Sequence, residues 1–233
     1  MAITYPLDLL DNLPGWSTDF NLLHRQEQSR HSSGRTRVKD YGTPIWQASY
    51  ITKNLSPNTL DYWKARLEAL ENGLQTFRAY PKSRCWPIAH PNGLLVDPEN
   101  WVLETGIWKD SGVWLTGIPW NSNTLGAASV NTVNLNNKSL SIKDAPFLNL
   151  KIGDYISIRE NLYQVMEDVD PSQTGTTLEF EVRPHLNISV SANDEVLFHK
   201  PYCLMTLIPN SVNSSSGLNG RGSISFQAIE ARG

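Results

Sequence analysis

The chain has 233 residues, of which 18% are charged and 39% hydrophobic, with a net charge of -3 and a pI near 5.9. This length can bury a core in one large β domain or two small ones, and the mild acidity excludes a wholesale electrostatic grip on nucleic acid. The opening MAITYPLDLLDNLPGW lacks a basic segment before an apolar run, and no stretch reaches 18 consecutive apolar residues. Neither a signal peptide nor a membrane span is therefore expected, and synthesis in a reducing cytoplasm is.

Residues 25–40, RQEQSRHSSGRTRVKD, read as a polar, basic hairpin or loop turning at Gly34. Arg25, Arg30, Arg35, Arg37 and Lys39, with His24 and His31 beside them, are the one local excess of positive charge. They are the candidate contact residues for a nucleic acid or an acidic partner surface, with a solvated or inter-subunit hairpin as the favoured plainer reading. Phe20 and Tyr41 flank the stretch without interleaving it, so no stacking platform for single-stranded nucleic acid is expected.

The alternation from Ile45 in PIWQASYITKN predicts a strand, and a helix over 57–72 follows it. Ser56 is the expected N-cap, Pro57 the first helical residue and Gly73 the stop. Leu60, Trp63, Leu67 and Leu70 fall on one apolar stripe. LQTFRAYP and NWVLETGIWK read as two further strands. All eight Trp lie at or before Trp120, and Gly, Ser and Asn gather just beyond it. A seam between two structural units is expected within DSGVWLTGIPWNSNTLGAASV, residues 110–130.

Beyond the seam the period is two throughout. SVNTVNLNN, GDYISIRENLYQVMEDV, TTLEFEVRPHL and DEVLFHKP are short strands between turn residues, which predicts a small antiparallel barrel. Glu160-Asn161 is placed at a hairpin turn. The run Tyr202 to Ile208 and the alternating SISFQAIEA are two closing strands, and a strand so well patterned must pair with something. The expected organisation is a first domain of residues 1–112 and 200–233, into which residues 113–199 are inserted as the small barrel.

The residues offer little chemistry. Asp154, Glu160, Glu167, Asp168 and Asp170 fall at turns, where solvated carboxylates belong, rather than in the converging pair that glycoside hydrolysis needs. His24, His31, His90, His185 and His199 show no metal-ligand spacing, and Cys85 and Cys203 read as free thiols. GLNGRG is followed by no helix and reads as a loop rather than a phosphate cradle. No catalytic, cofactor or metal residues are expected, and the chain is read as a non-enzyme. Trp101, Trp108, Trp114 and Trp120 could form a sugar-binding shelf, which makes a carbohydrate-binding β module the alternative reading.

The order of these segments resembles the distal tail and minor tail proteins of tailed bacteriophages. The residues that carry the resemblance are Gly153, Asp154, Leu162, Tyr163, Val165, Gly175, Pro184, Leu186, Pro201, Phe226 and Glu230, preceded by strand, helix, strand and a Pro-rich run in residues 41–93. The resemblance implies a mainly β fold: a tail-tube-like β-sandwich with one flanking α-helix and an inserted small barrel, OB-like or similar. It further implies a virion tail-tip protein that forms a homo-oligomeric ring, six copies in the family, joining the tail tube protein to hub proteins. Receptor-binding proteins or host glycans are further implied contacts. The basic stretch is then expected to act as an inter-subunit arm, whose deletion over residues 28–36 weakens assembly.

Overall fold

The computed structural model describes residues 3–15, 17–90, 129–130, 133–143, 148–169, 177–192, 194–217 and 219–232. The predicted strand NWVLETGIWK, all but the last two residues of the seam at 110–130, and the group Trp101, Trp108, Trp114 and Trp120 lie outside the described residues. The chain is mainly β, in antiparallel sheets, with one α-helix among the described residues. Its contacts divide it into unit one, Met1–Ser83 with Cys203–Gly233, and unit two, Arg84–Tyr202.

In unit one, β1 (Ser17–Leu23), β4 (Ile45–Ile51) and β5 (Thr76–Ala79) join three strands from the end of the chain: β12 (Cys203–Leu207), β13 (Asn213–Ser216) and β14 (Gly222–Glu230). The order is β1-β4-β14-β12-β5, with β13 continuing beside β14. The last strand therefore lies inside the sheet, in hydrogen-bonded register with β4, β12 and β13. Alternate residues point into the core: Trp46, Ala48 and Tyr50 from β4, Phe77 and Ala79 from β5, Met205 and Leu207 from β12, Ile224, Phe226 and Ala228 from β14. The Tyr50 ring stacks on Phe226 with centroids 5.1 Å apart, and Phe77 meets Phe226 edge-on at 6.3 Å.

The helix α1 (Pro57–Glu68) packs against β14 and buries Leu60, Trp63 and Leu67. It is shorter than the 57–72 the sequence predicts. Glu71, Asn72 and Gly73 have φ of +50°, +52° and +101°, so the chain leaves the helix before the expected stop, and Leu70 is buried from a non-helical turn. Gly73 has a steric reason beyond its φ, because a Cβ there would sit 2.5 Å from the Leu207 carbonyl oxygen. Ser56 makes no side-chain cap to the backbone. Its hydroxyl bonds Thr59 instead, at 2.8 Å, which leaves Pro57 to set the start.

Unit two contains β6 (Ser129–Val130), β7 (Ser139–Lys143), β8 (Tyr155–Ile158), β9 (Asn161–Val165), β10 (Thr177–Arg183) and β11 (Val196–Leu197) in the order β11-β8-β9-β10-β7-β6. The residues just after β6 and just before β11 bridge each other. Val133 and Val190 exchange backbone hydrogen bonds of 2.9 and 3.1 Å, which ties together the neighbourhoods of the two edge strands and curls the sheet into a half-barrel. Its core holds Leu140, Ile142, Ile156, Ile158, Tyr163, Val165, Phe180, Val182 and Phe198.

Unit two begins earlier than residue 113. Arg84 donates to the Gly153 carbonyl at 3.4 Å, the Cys85 carbonyl accepts Lys200 N–H at 2.8 Å, and Ile88 N–H donates to Asp154 at 2.8 Å. Those bonds assign residues 84–90 to unit two, a placement that local pattern does not express. Three strands were also unforeseen. The β7 segment SLSIK has only Leu140 and Ile142 as apolar signal, β13 is the fully exposed NSSS, and β1 mixes Asp and Asn into a short alternation.

Candidate interaction site

The basic stretch forms a two-stranded antiparallel ribbon of β2 (Gln26–Arg30) and β3 (Thr36–Asp40), in which every residue is exposed. It extends the β1–β4 pair. Two residues separate β1 from β2, whereas four separate β3 from β4, so the ribbon departs from the sheet through an unequal bulge. At about 3.3 Å per residue each strand of this arm is roughly 17 Å long. His31 and Arg35 close the tip through a 2.9 Å backbone bond, with Gly34 between them at φ +80°.

The register sorts the predicted contact residues onto two faces, because directly opposed side chains share a face and successive pairs alternate. Glu27 opposes Lys39 and Ser29 opposes Arg37, while Tyr41 N–H donates to the Arg25 carbonyl at 2.9 Å. Arg25, Arg37 and Lys39 thus share one face with Glu27 and Tyr41. On the other face Gln26 opposes Asp40, Gln28 opposes Val38 and Arg30 opposes Thr36. Arg35 stands at the tip. Among the described residues none of these arginines forms an ion pair within the chain.

Glu27 is the one carboxylate on the Arg37 face, and it accepts the Tyr41 hydroxyl. That bond, with a smaller contribution from burial, raises the Tyr41 pKa. Lys39 Nζ lies 5.0 Å from the centre of the same ring. Sequence reading places Tyr41 only as a flanking residue and passes over Glu27, because their pairing depends on the register.

The turn carboxylates hold the backbone of unit two. Asp154, expected in solvent, is 2% exposed and accepts N–H from both Ile88 and Lys151 at 2.8 Å. Burial raises its pKa, and the two backbone bonds with nearby Arg84 and His90 oppose the rise. Asp168 accepts Ile152 N–H at 2.9 Å, and that bond lowers its pKa. Glu167 accepts Glu181 N–H at 2.5 Å. Glu160 occupies the β8–β9 turn at φ +64°, and Asp170 lies outside the described residues. Asp154, Asp168 and Glu167 are each explained by the backbone they tie.

No family model matches the chain, and no curated protein sequence matches it. The candidate site therefore stands on the geometry of the arm alone. Neither cysteine is in a disulfide, with Cys203 buried and Cys85 half-buried. His90 is buried, and its Nε2 accepts Asn149 N–H at 3.0 Å. His199 stacks on Trp86 with centroids 3.9 Å apart. Among the described residues no three His, Cys, Asp or Glu side chains gather as a metal site would need, and no helix is long and apolar enough to cross a membrane.

Proposed function

We propose that the chain is a structural subunit of a bacteriophage tail tip. Copies of it form a ring, six in number, that joins the tail tube to the hub and the receptor-binding apparatus. The observation that carries the reading is the arm. A two-stranded ribbon is at best marginally stable in water by itself, and this one exposes every residue. Such an element is best explained as one half of an interface, with the other half supplied by a neighbouring subunit.

The resemblance to distal tail proteins supports the reading from a separate direction, through Gly153, Asp154, Tyr163, Val165, Pro184 and Phe226. In this reading the sheet and helix of unit one correspond to the tail-tube-like sandwich, and unit two to the inserted OB-like barrel. The subunit acts through assembly, without catalysis and without a cofactor.

Light scattering of the purified protein across a concentration series tests the proposal. A mass near six times 26.2 kDa is the expected result. A strict monomer at every concentration, combined with quenching of Trp fluorescence by glycans, would overturn it in favour of a carbohydrate-binding module.

A further inference from the structure

We propose that the arm docks head-to-tail on unit two of a second copy of this chain, through its Arg25–Arg37–Lys39 face, against the outward carboxylates of β10. The inference rests on the assembly reading above and adds both the partner surface and the face that meets it.

Charge is divided unequally between the units. Residues 24–41 hold five Lys and Arg against two Asp and Glu, a net of +3. Unit one as a whole has twelve against nine, also +3, so the rest of that unit is neutral. Unit two has eight against fourteen, a net of -6, of which its described residues hold seven against eight. The complement of the arm is therefore unit two, not the sheet from which the arm grows. Because arm and receptor are different surfaces, the contact is heterologous, and a heterologous contact closes a ring when its rotation permits.

The spacing agrees with the charge. Arg37 and Lys39 lie two apart on β3 and project from one face, about 6.6 Å apart along the strand. Glu179 and Glu181 lie two apart on β10 and share a face in the same way, outside the buried Phe180. Glu179 accepts a hydrogen bond from the Ser139 hydroxyl at 2.6 Å, which orients it, and Glu181 pairs with Arg183. Glu167 lies beside them through its bond to Glu181 N–H. Arg183 follows on the same row and takes up Glu181, so Glu179 and the neighbouring Glu167 are the carboxylates left to meet Arg37 and Lys39. The opposite face of the arm offers Arg30 balanced by Asp40, with Val38 and Gln28, and has no such complement.

The test uses the full chain and four variants, with assembly followed by light scattering and folding checked by circular dichroism. Arg37→Glu and Arg30→Glu make the same change in net charge on opposite faces of one exposed ribbon. Arg37→Glu and Glu179→Lys are each expected to raise the concentration needed for assembly roughly tenfold, with Arg30→Glu having much less effect. The double variant R37E/E179K, which restores an opposed pair at every interface, is expected to recover most of the loss. Raising salt from 0.1 M to 1 M should weaken the wild type, because the screening length falls from about 10 Å to about 3 Å.

Equal effects of Arg37→Glu and Arg30→Glu would overturn the face assignment, and failure of the double variant to recover would overturn the receptor. If the wild type assembles and Arg37→Glu leaves its mass unchanged, the ring reading stands and this inference fails. If a labelled DNA duplex binds the wild type and is released by Arg37→Glu at unchanged mass, the arm is a nucleic-acid contact instead. A wild type that never assembles removes this inference, and with quenching of its Trp fluorescence by glycans it removes the ring reading as well.

Discussion

Asp154 holds two amides from inside unit two, and its raised pKa gives stability a definite pH dependence. The folded state binds the proton more tightly than the unfolded chain, whose carboxyl titrates near 3.8. Stability from this group therefore falls as pH rises from that value through the folded pKa, and is level above it. Asp168 acts in the opposite sense. Its lowered pKa makes a contribution that is present above the ordinary carboxylate value and is lost as pH falls through the folded one. Denaturant melts of wild type and Asp154→Asn between pH 3.5 and 7 separate the two groups. The stability difference, wild type minus variant, should decline as pH rises; a difference that grows with pH would contradict the burial assigned to Asp154. Glu230 is a second buried carboxylate with a structural task. It accepts Trp46 N–H at 2.9 Å and pairs with Arg232 at 2.9 Å, pinning the end of β14 to the start of β4.

Among the elements, the β8–β9 hairpin is the best example of a turn whose residues do not suit its geometry. Arg159 and Glu160 have φ of +45° and +64°, both positive as a type I′ turn requires. The sequence places the turn at Glu160-Asn161, one residue late, because Asn161 opens β9 and bonds back to the Arg159 carbonyl at 2.7 Å. Glu160→Gly removes the left-handed strain at one centre and leaves the Arg159–Asp194 ion pair intact. It should stabilise the protein by about 1 kcal/mol, seen as a higher urea midpoint with an unchanged slope. A lower midpoint would mean that the Glu160 side chain contributes more than its backbone costs. The helix illustrates a related limit. Its apolar stripe is legible because the 3.6 period is local, and its true end is not, because the end is set where Gly73 must pass the Leu207 carbonyl.

For the whole molecule, the two units differ in what their chain ends do. Unit one needs both ends of the sequence, since β14 lies between β4 and β12. Unit two is continuous, has its own core, and brings its ends together where Cys85 accepts Lys200 N–H. A fragment of residues 84–202 is therefore expected to fold alone, with cooperative thermal unfolding and a near-ultraviolet dichroism signal from packed Tyr163. A fragment that melts without cooperativity would show that unit two draws its stability from elsewhere.

Local period and punctuation alone determine much of this protein: the apolar stripe of α1, the alternation of β4, β8, β9, β10 and β14, the turn at Gly34 and the basic excess around it. These signals are legible because each depends on residues a few positions apart. The tertiary structure decided what depends on partners distant in the chain. It put Ile224 N–H on Thr52, 172 positions away, assigned residues 84–90 to unit two and buried Asp154. It also decided the register that gives the arm a charged face and a balanced one. Strand pairing is not written locally, because any two period-two segments can align. The register that survives is the one that buries both apolar faces and satisfies the backbone together.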